Sequence, residues 1–180
     1  SVPIIAAYNP LGNNPNNEVV ANVIDGNIAT KWLDRNFSGI VSVLQLELAE
    51  ERPVTQYELF TSSGDNNVDR RRDPISWSFG IRRSDSHFQV LSTVTEFGAP
   101  NAAATSYGRF DTINPPPPPS PPPPSSPPIP PPGFPPGQVP PLSPPPPPPP
   151  TNDFWQFVFT AVRDRSHSIV SLSHIWFFDD

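Results

Sequence analysis

Residues 115–150 carry 25 of the chain's 31 prolines. Proline fixes φ and has no N–H, so this stretch can be neither a helix nor a central strand. Its default is polyproline II, a left-handed rod without internal hydrogen bonds. Runs of this kind are usually tails or linkers. The C-terminal segment argues against both, because residues 151–180 read as two β-strands too short to fold alone. The run is therefore expected to be an insert, 115–150, within one domain made of residues 1–114 together with 151–180.

Outside the insert about 144 residues remain, enough for a single core. A net charge of −6 argues against nucleic acid or an anionic membrane as partner. No apolar run approaches the ~18 residues of a membrane span. The chain opens on Ser1 and contains no Met, which reads as a processed product or a piece of something longer. Cysteine is absent, which excludes disulfides, Cys-ligated zinc and thiol nucleophiles. His87, His167 and His174 show no metal-ligand spacing. Ser166-His167-Ser168 sits in a turn with no acid arranged to orient the imidazole, so no enzyme is expected. The proline tract and the sequon Asn36-Phe37-Ser38, which marks Asn36 for N-glycosylation, point to the secretory route and an extracellular location.

Residues 2–8 (VPIIAAY) read as a short edge strand, with Pro3 marking the edge. Residues 9–17 are rich in Asn, Pro and Gly and read as loop. Residues 19–24 are apolar and end at Asp25-Gly26-Asn27. Residues 41–48 (VSVLQLEL) alternate, with Leu44, Leu46 and Leu48 on one side and Val41, Val43, Gln45 and Glu47 on the other. Residues 54–61, 88–94 and 107–113 read as further strands. Trp77, Phe79 and Ile81 alternate, as do Trp155, Phe157, Phe159 and Ala161, and residues 169–178 close the chain. No 3.6-residue stripe of useful length appears. Many short strands with polar turns predict an all-β sandwich.

Three clusters carry a family resemblance. Asp25-Gly26-Asn27-Ile28-Ala29-Thr30-Lys31-Trp32 resembles the DG-x-x-x-T-x-W signature of discoidin, or coagulation-factor type C, domains. Arg72-Asp73-Pro74-Ile75-Ser76-Trp77 resembles the R-D-P-x-S-W stretch of the same superfamily. Leu172-Ser173-His174-Ile175-Trp176-Phe177 resembles its closing L-S-E-I-x strand. The resemblance implies a galactose-binding-domain-like jelly roll, in which a short turn normally stands where the insert is found. It leaves function open, because such domains bind sugars, lipids or proteins, or build structures.

The resemblance also implies sites. Trp32 and Trp77 fall where relatives pack the sandwich, ligand stacking being the other use of such a ring. Asp25, Asn27 and Thr30 lie on the loop that binds Ca²⁺ in many relatives. The usual closing carboxylate falls at His174, a poor ligand for a hard cation. The alternative is a plain Asp-Gly turn held by side-chain caps. Sugar-binding relatives use loops at one end of the sandwich. By that likeness Asn66, Asn67 and Arg70 in loop 62–73 would pair with hydroxyls, and Phe37 would cover a sugar face. The alternative is a solvated loop whose arginines, Arg70, Arg71 and Arg72, pair with nearby Asp side chains.

The insert carries a second resemblance. Its proline runs, broken by single or paired Ser, resemble the hydroxyproline-rich glycoproteins of green-algal and plant extracellular matrix, pherophorins among them. That implies hydroxylation or O-glycosylation at Pro116, Pro117, Pro118, Pro119, Ser120, Pro122, Pro123, Pro124, Ser125, Ser126, Ser143, Pro145, Pro146, Pro147 and Pro148. At ~3.1 Å per residue the contour is roughly 110 Å. The break Gly133-Phe134-Pro135-Pro136-Gly137 predicts two arms, 115–132 and 138–150. Ile129, Phe134, Val139 and Leu142 are candidate apolar anchors on a neighbouring copy.

Two functions fit these residues. The first is a structural, filament- or matrix-forming extracellular glycoprotein whose copies couple through the glycosylated arm. The second is a carbohydrate-binding module that recognises cell-surface or matrix glycans, with the rod projecting. A third use of the rod, as a ligand for PxxP-reading domains, requires a cytoplasmic protein, and the fold resemblance argues against it.

Overall fold

The computed structural model describes residues 1–10, 12–37, 41–64, 67–112 and 153–179, with backbone alone at residues 67 and 68. The expectations placed on the insert lie outside the described residues. These are its modified prolines and serines, its two arms, and the anchors Ile129, Phe134, Val139 and Leu142.

The alternating stretches form antiparallel strands. In chain order they are β1 (Ile4–Tyr8), β2 (Trp32–Asp34), β3 (Ser42–Leu48), β4 (Gln56–Phe60), β5 (Pro74–Arg82), β6 (Phe88–Val94), β7 (Ser106–Asp111), β8 (Phe154–Val162), β9 (Val170–Leu172) and β10 (His174–Phe178). A five-stranded sheet has the order β1-β3-β8-β5-β6, and a three-stranded sheet the order β10-β4-β7. β2 pairs with β9. Two helical turns interrupt this pattern. The apolar residues 19–24 wind into a 3-10 turn, Val20–Val23, and loop 62–73 contains the short helix α1 (Asn67–Arg70). Residues 169–178 divide into two strands about Ser173, whose hydroxyl donates to the Thr61 carbonyl at 2.6 Å. The architecture is the all-β sandwich expected from the sequence.

The strand β8, which comes after the insert, lies in the middle of the larger sheet. It pairs with β3 from Ser42↔Phe159 to Leu46↔Trp155, and with β5 from Pro74↔Val162 to Arg82↔Phe154. The chain is tied where it leaves and where it returns. Thr112 donates its amide to the Thr55 carbonyl at 2.8 Å and its hydroxyl to the Val54 carbonyl at 2.7 Å. Asp153 accepts from Arg83 Nη1 at 2.6 Å and from the Ser84 amide at 3.1 Å.

Aromatic rings fill the space between the sheets. Tyr57 of β4 lies 4.4 Å from Phe79 of β5 and 5.2 Å from Phe157 of β8, measured between ring centroids. Trp32 and Trp77 are both buried, so packing is the use the structure shows for them. Gly80 stands where the β5–β6 register slips. A Cβ there would fall 2.0 Å from the Gln89 carbonyl oxygen.

One polar link crosses the core. Trp77 Nε1 donates to Tyr57 Oη at 2.9 Å, and Tyr57 Oη lies 3.3 Å from Ser92 Oγ. Burial pushes the Tyr57 phenol upward, which keeps it neutral. Tyr57→Phe is expected to leave Trp77 Nε1 a buried donor without an acceptor. The cost should be about 1–3 kcal/mol, read as a lower urea midpoint with an unchanged slope. A loss below about 0.5 kcal/mol would mean that the link contributes little.

Candidate functional site

The β5–β8 pairing places the residue before β5 next to the residue after β8. Arg163 donates its amide to the Asp73 carbonyl at 2.9 Å, and Asp164 donates to the Arg71 carbonyl at 2.9 Å. Loop 62–73 is thereby fastened to the β8–β9 loop. It is also anchored from below by Asp69, which is buried and meets Lys31 Nζ at 3.1 Å and Arg72 Nη1 at 2.9 Å. Arg72 thus points inward and holds the loop. Its neighbours Arg70 and Arg71, with Asn101 and Arg163, line a cleft of about 270 Å³.

Arg163 organises the far wall. Its Nη1 donates to Asn101 Oδ1 at 2.7 Å, and its Nη2 to the carbonyls of Ala99 at 2.9 Å and Pro100 at 2.6 Å. Arg70 Nη1 donates to the Asn101 carbonyl at 2.6 Å. Arg71 is about half exposed and has Asp164 Oδ2 3.8 Å away. Behind the cleft sits Asp73, fully buried. Its Oδ1 accepts from the Ser62 amide at 3.0 Å, and its Oδ2 lies 3.5 Å from Arg163 Nη2. Burial pushes the Asp73 carboxyl up to about 7, against the opposing pull of the Ser62 amide and the Arg163 charge.

The sequence named Arg70 in this region, and it does line the cleft. Asn66 and the side chain of Asn67 lie outside the described residues. Phe37 does not reach the loop surface. It is 3 % exposed and packed in the apolar core, so its ring face is not available to a sugar. Asn36 is exposed in the turn after β2, and its amide donates to Asp34 Oδ1 at 2.9 Å. Asn101 and Arg163 were not legible as a pair. Asn101 stands in a bland NAAAT stretch, and the one local signal for Arg163 is its place directly after an apolar strand.

The Asp25 loop closes on itself. Asp25 Oδ1 accepts from the Asn27 amide at 2.8 Å, Asp25 Oδ2 from the Thr30 hydroxyl at 2.7 Å, and Asn27 Oδ1 from the Ala29 amide at 3.0 Å. Gly26 has φ +76°, the left-handed conformation this turn needs. His174 is buried near Asp25, and burial pushes its imidazole downward, toward the neutral form. A Ca²⁺ ion wants six to eight oxygens. Here one carboxylate, with both oxygens engaged by its own loop, stands near a neutral imidazole. Among the described residues no group of three or more His, Cys, Asp or Glu is placed to hold a metal. In this arrangement Asp25, Asn27 and Thr30 make a capped turn.

At the His167 turn an acid stands near the imidazole without orienting it. Asp164 Oδ2 lies 3.3 Å from His167 Nδ1, without hydrogen-bond alignment. The Ser166 hydroxyl donates to the same carboxylate at 2.6 Å, rather than to the imidazole. These residues form no nucleophile–base pair. On the outer face of the smaller sheet, Trp176 is 43 % exposed, with Phe60 edge-on at 4.9 Å.

No family model matches the sequence, and no curated protein matches it. Solved structures match in fold. A CBM32 module of Clostridium perfringens, solved with GalNAc-β-1,3-galactose, superposes with TM-score 0.58 at 10 % identity, over 96 % of this chain and 94 % of that one. The C. perfringens NanJ family 32 module, solved with galactose, gives 0.55 at 11 % identity over 96 % and 91 %. A serum fucolectin of striped bass, Morone saxatilis, gives 0.53 at 11 % identity, over 97 % of this chain and 45 % of that chain. The fold is a galactose-binding-domain-like β-sandwich. At these identities the likeness is one of fold. Among the described residues no helix is long and apolar enough to cross a membrane.

Two outcomes are expected of this region. The folded state holds the Asp73 proton to about pH 7, and the ordinary carboxyl releases it near 3.8. The stabilisation from this proton is full below about pH 4 and is lost as pH rises to about 7. The stability difference between the native chain and Asp73→Asn, from urea midpoints at pH 4.5 and 7.5, should therefore shift against the native chain at the higher pH. No shift would place the proton elsewhere. At the Asp25 loop, EDTA is expected to move the melting temperature by less than about 1 °C. A fall of several degrees would restore a resident cation.

Proposed function

We propose that this chain is a non-catalytic carbohydrate-binding module of an extracellular protein, and that it takes its glycan in the cleft of Arg70, Arg71, Asn101 and Arg163. One observation carries the reading. The described loops 62–73, 97–105 and 163–169 meet at one end of a β-sandwich to form a cleft rich in guanidinium and amide donors. Such groups suit the oxygens of a saccharide. The fold likeness supports the reading too, since glycan-bound modules share this sandwich at TM-scores of 0.55 and 0.58. In this proposal the 115–150 stretch is a projecting spacer, and exposed Asn36 carries the N-glycosylation sequon.

The structural, filament-forming reading rests on the insert, outside the described residues, and no observation on the folded part favours it. The cleft gives the binding reading a location that the filament reading lacks. A broad glycan array probed with the full chain is expected to give saturable binding. Asn101→Ala is expected to weaken it at least about tenfold, or roughly 1.4 kcal/mol, while the chain still unfolds in one cooperative urea transition. Absence of binding across neutral and acidic glycans, together with concentration-dependent polymers by light scattering, would return the first reading.

A further inference from the structure

We propose that the glycan taken by this cleft is an acidic one, and that a sugar carboxylate seats against Arg71 and the Asn101 amide. The inference deepens the carbohydrate-binding reading and rests on it.

Sugar hydroxyls both give and accept hydrogen bonds, so a site for a neutral sugar offers acceptors as well as donors. The side chains lining this cleft are three guanidinium groups and one amide. A guanidinium has five N–H donors and no acceptor. The acceptors of Asn101 are already engaged, since Oδ1 takes Arg163 Nη1 at 2.7 Å and the backbone carbonyl takes Arg70 Nη1 at 2.6 Å. The Asn101 Nδ2 donors have no partner among the described residues. Among the described residues the carboxylate nearest Arg71 is Asp164 Oδ2 at 3.8 Å, too long for a hydrogen bond. Behind the wall, Asp73 is fully buried and accepts from the Ser62 amide at its Oδ1, and Asp69 is buried against Lys31 and Arg72. Among the described residues the cleft therefore presents mostly donors and positive charge; its Asn101 acceptors each already take one hydrogen bond, and the one acid at its rim is Asp164. A ligand group that only accepts, and is negative, completes it.

Carboxylate fits better than a single hydroxyl for a geometric reason. The planar guanidinium fork matches the two oxygens of a carboxylate in parallel, a pairing a lysine does not reproduce. The chain as a whole is acidic, at −6, so a general attraction for anions does not explain such a preference. It has to come from this cleft.

Three matched pairs of probes test the proposal on the full chain by isothermal titration. They are oligogalacturonate and its carboxyl-reduced form, a hyaluronan oligosaccharide and its carboxyl-reduced form, and sialyllactose and lactose. At least one acidic member is expected to bind tenfold or more tightly than its neutral partner, and the gap should narrow as salt rises. Arg71→Gln is expected to erase that gap. Arg71→Lys should restore it only in part, and Arg165→Gln, outside the cleft lining, should leave it intact. Equal or tighter binding of every neutral partner overturns the acidic assignment and leaves the carbohydrate-binding reading standing. Sulfated galactan binding more tightly than any carboxylated probe overturns the choice of carboxylate. Binding of neither acidic nor neutral probes, with none on the wider array, removes the carbohydrate reading along with this one.

Discussion

The fold depends on β8 reaching the gap between β3 and β5. Without it the larger sheet is two separate strand pairs, β1-β3 and β5-β6, with their inner faces uncovered. The strand must arrive after the longest stretch of irregular sequence in the chain. Magnitudes show why this is tolerated. Each doubling of a loop adds only about 0.6 kcal/mol of closure entropy. For a flexible loop, replacing a short turn by some forty residues would cost about 2 kcal/mol. Burying any one of Trp155, Phe157 or Phe159 returns about 1.5–3 kcal/mol. On that scale an insert of this length is affordable beside the strand it precedes. Its effect belongs to folding kinetics, since pairs such as Ser42↔Phe159 join residues far apart in sequence.

The same pairing creates the cleft. Antiparallel strands bring the start of one beside the end of the other, so Asp73 and Arg163 are neighbours because Pro74 and Val162 are partners. The 99–101 segment is then held to that corner by Arg163 rather than by strand pairing. Fold and site are one arrangement at this corner. A change that loosened β8 would first be felt in the position of Arg163, nine residues beyond the strand's first residue.

How much the sequence discloses depends on the range of the interactions. Alternation is local, and it marked Leu44 and Leu46, Trp77 and Phe79, and Trp155 and Phe157 as inward-facing, as their burial shows. Turn chemistry is local as well, and Asp25-Gly26-Asn27 forms a capped turn. Phe37 is different. Position in a loop suggested exposure, yet the residue returns to the core, a tertiary outcome no neighbour in sequence signals. The cleft depends on contacts spanning 62 residues between Arg163 and Asn101 and 31 between Arg70 and Asn101. Arg70 was visible because it stands in a run of three, and Asn101 was not, since nothing around it is charged.

Asp73 brings the two themes together. A buried carboxyl that holds its proton to about pH 7 is a destabilising choice for a core. What it gains is placement, because one oxygen fixes the Ser62 amide and the other faces the guanidinium of Arg163. Three protein acceptors already hold that guanidinium at hydrogen-bond distance. An immobilised side chain of this kind has surrendered its rotamer entropy during folding. A ligand therefore does not bear that loss, which for a long side chain is about 0.5–1.5 kcal/mol. Arg71, half exposed and loosely placed, is the group left to order on binding. The cleft thus joins a wall fixed by the fold to one adjustable arm, and under the proposed binding role it is that arm which would select the ligand group.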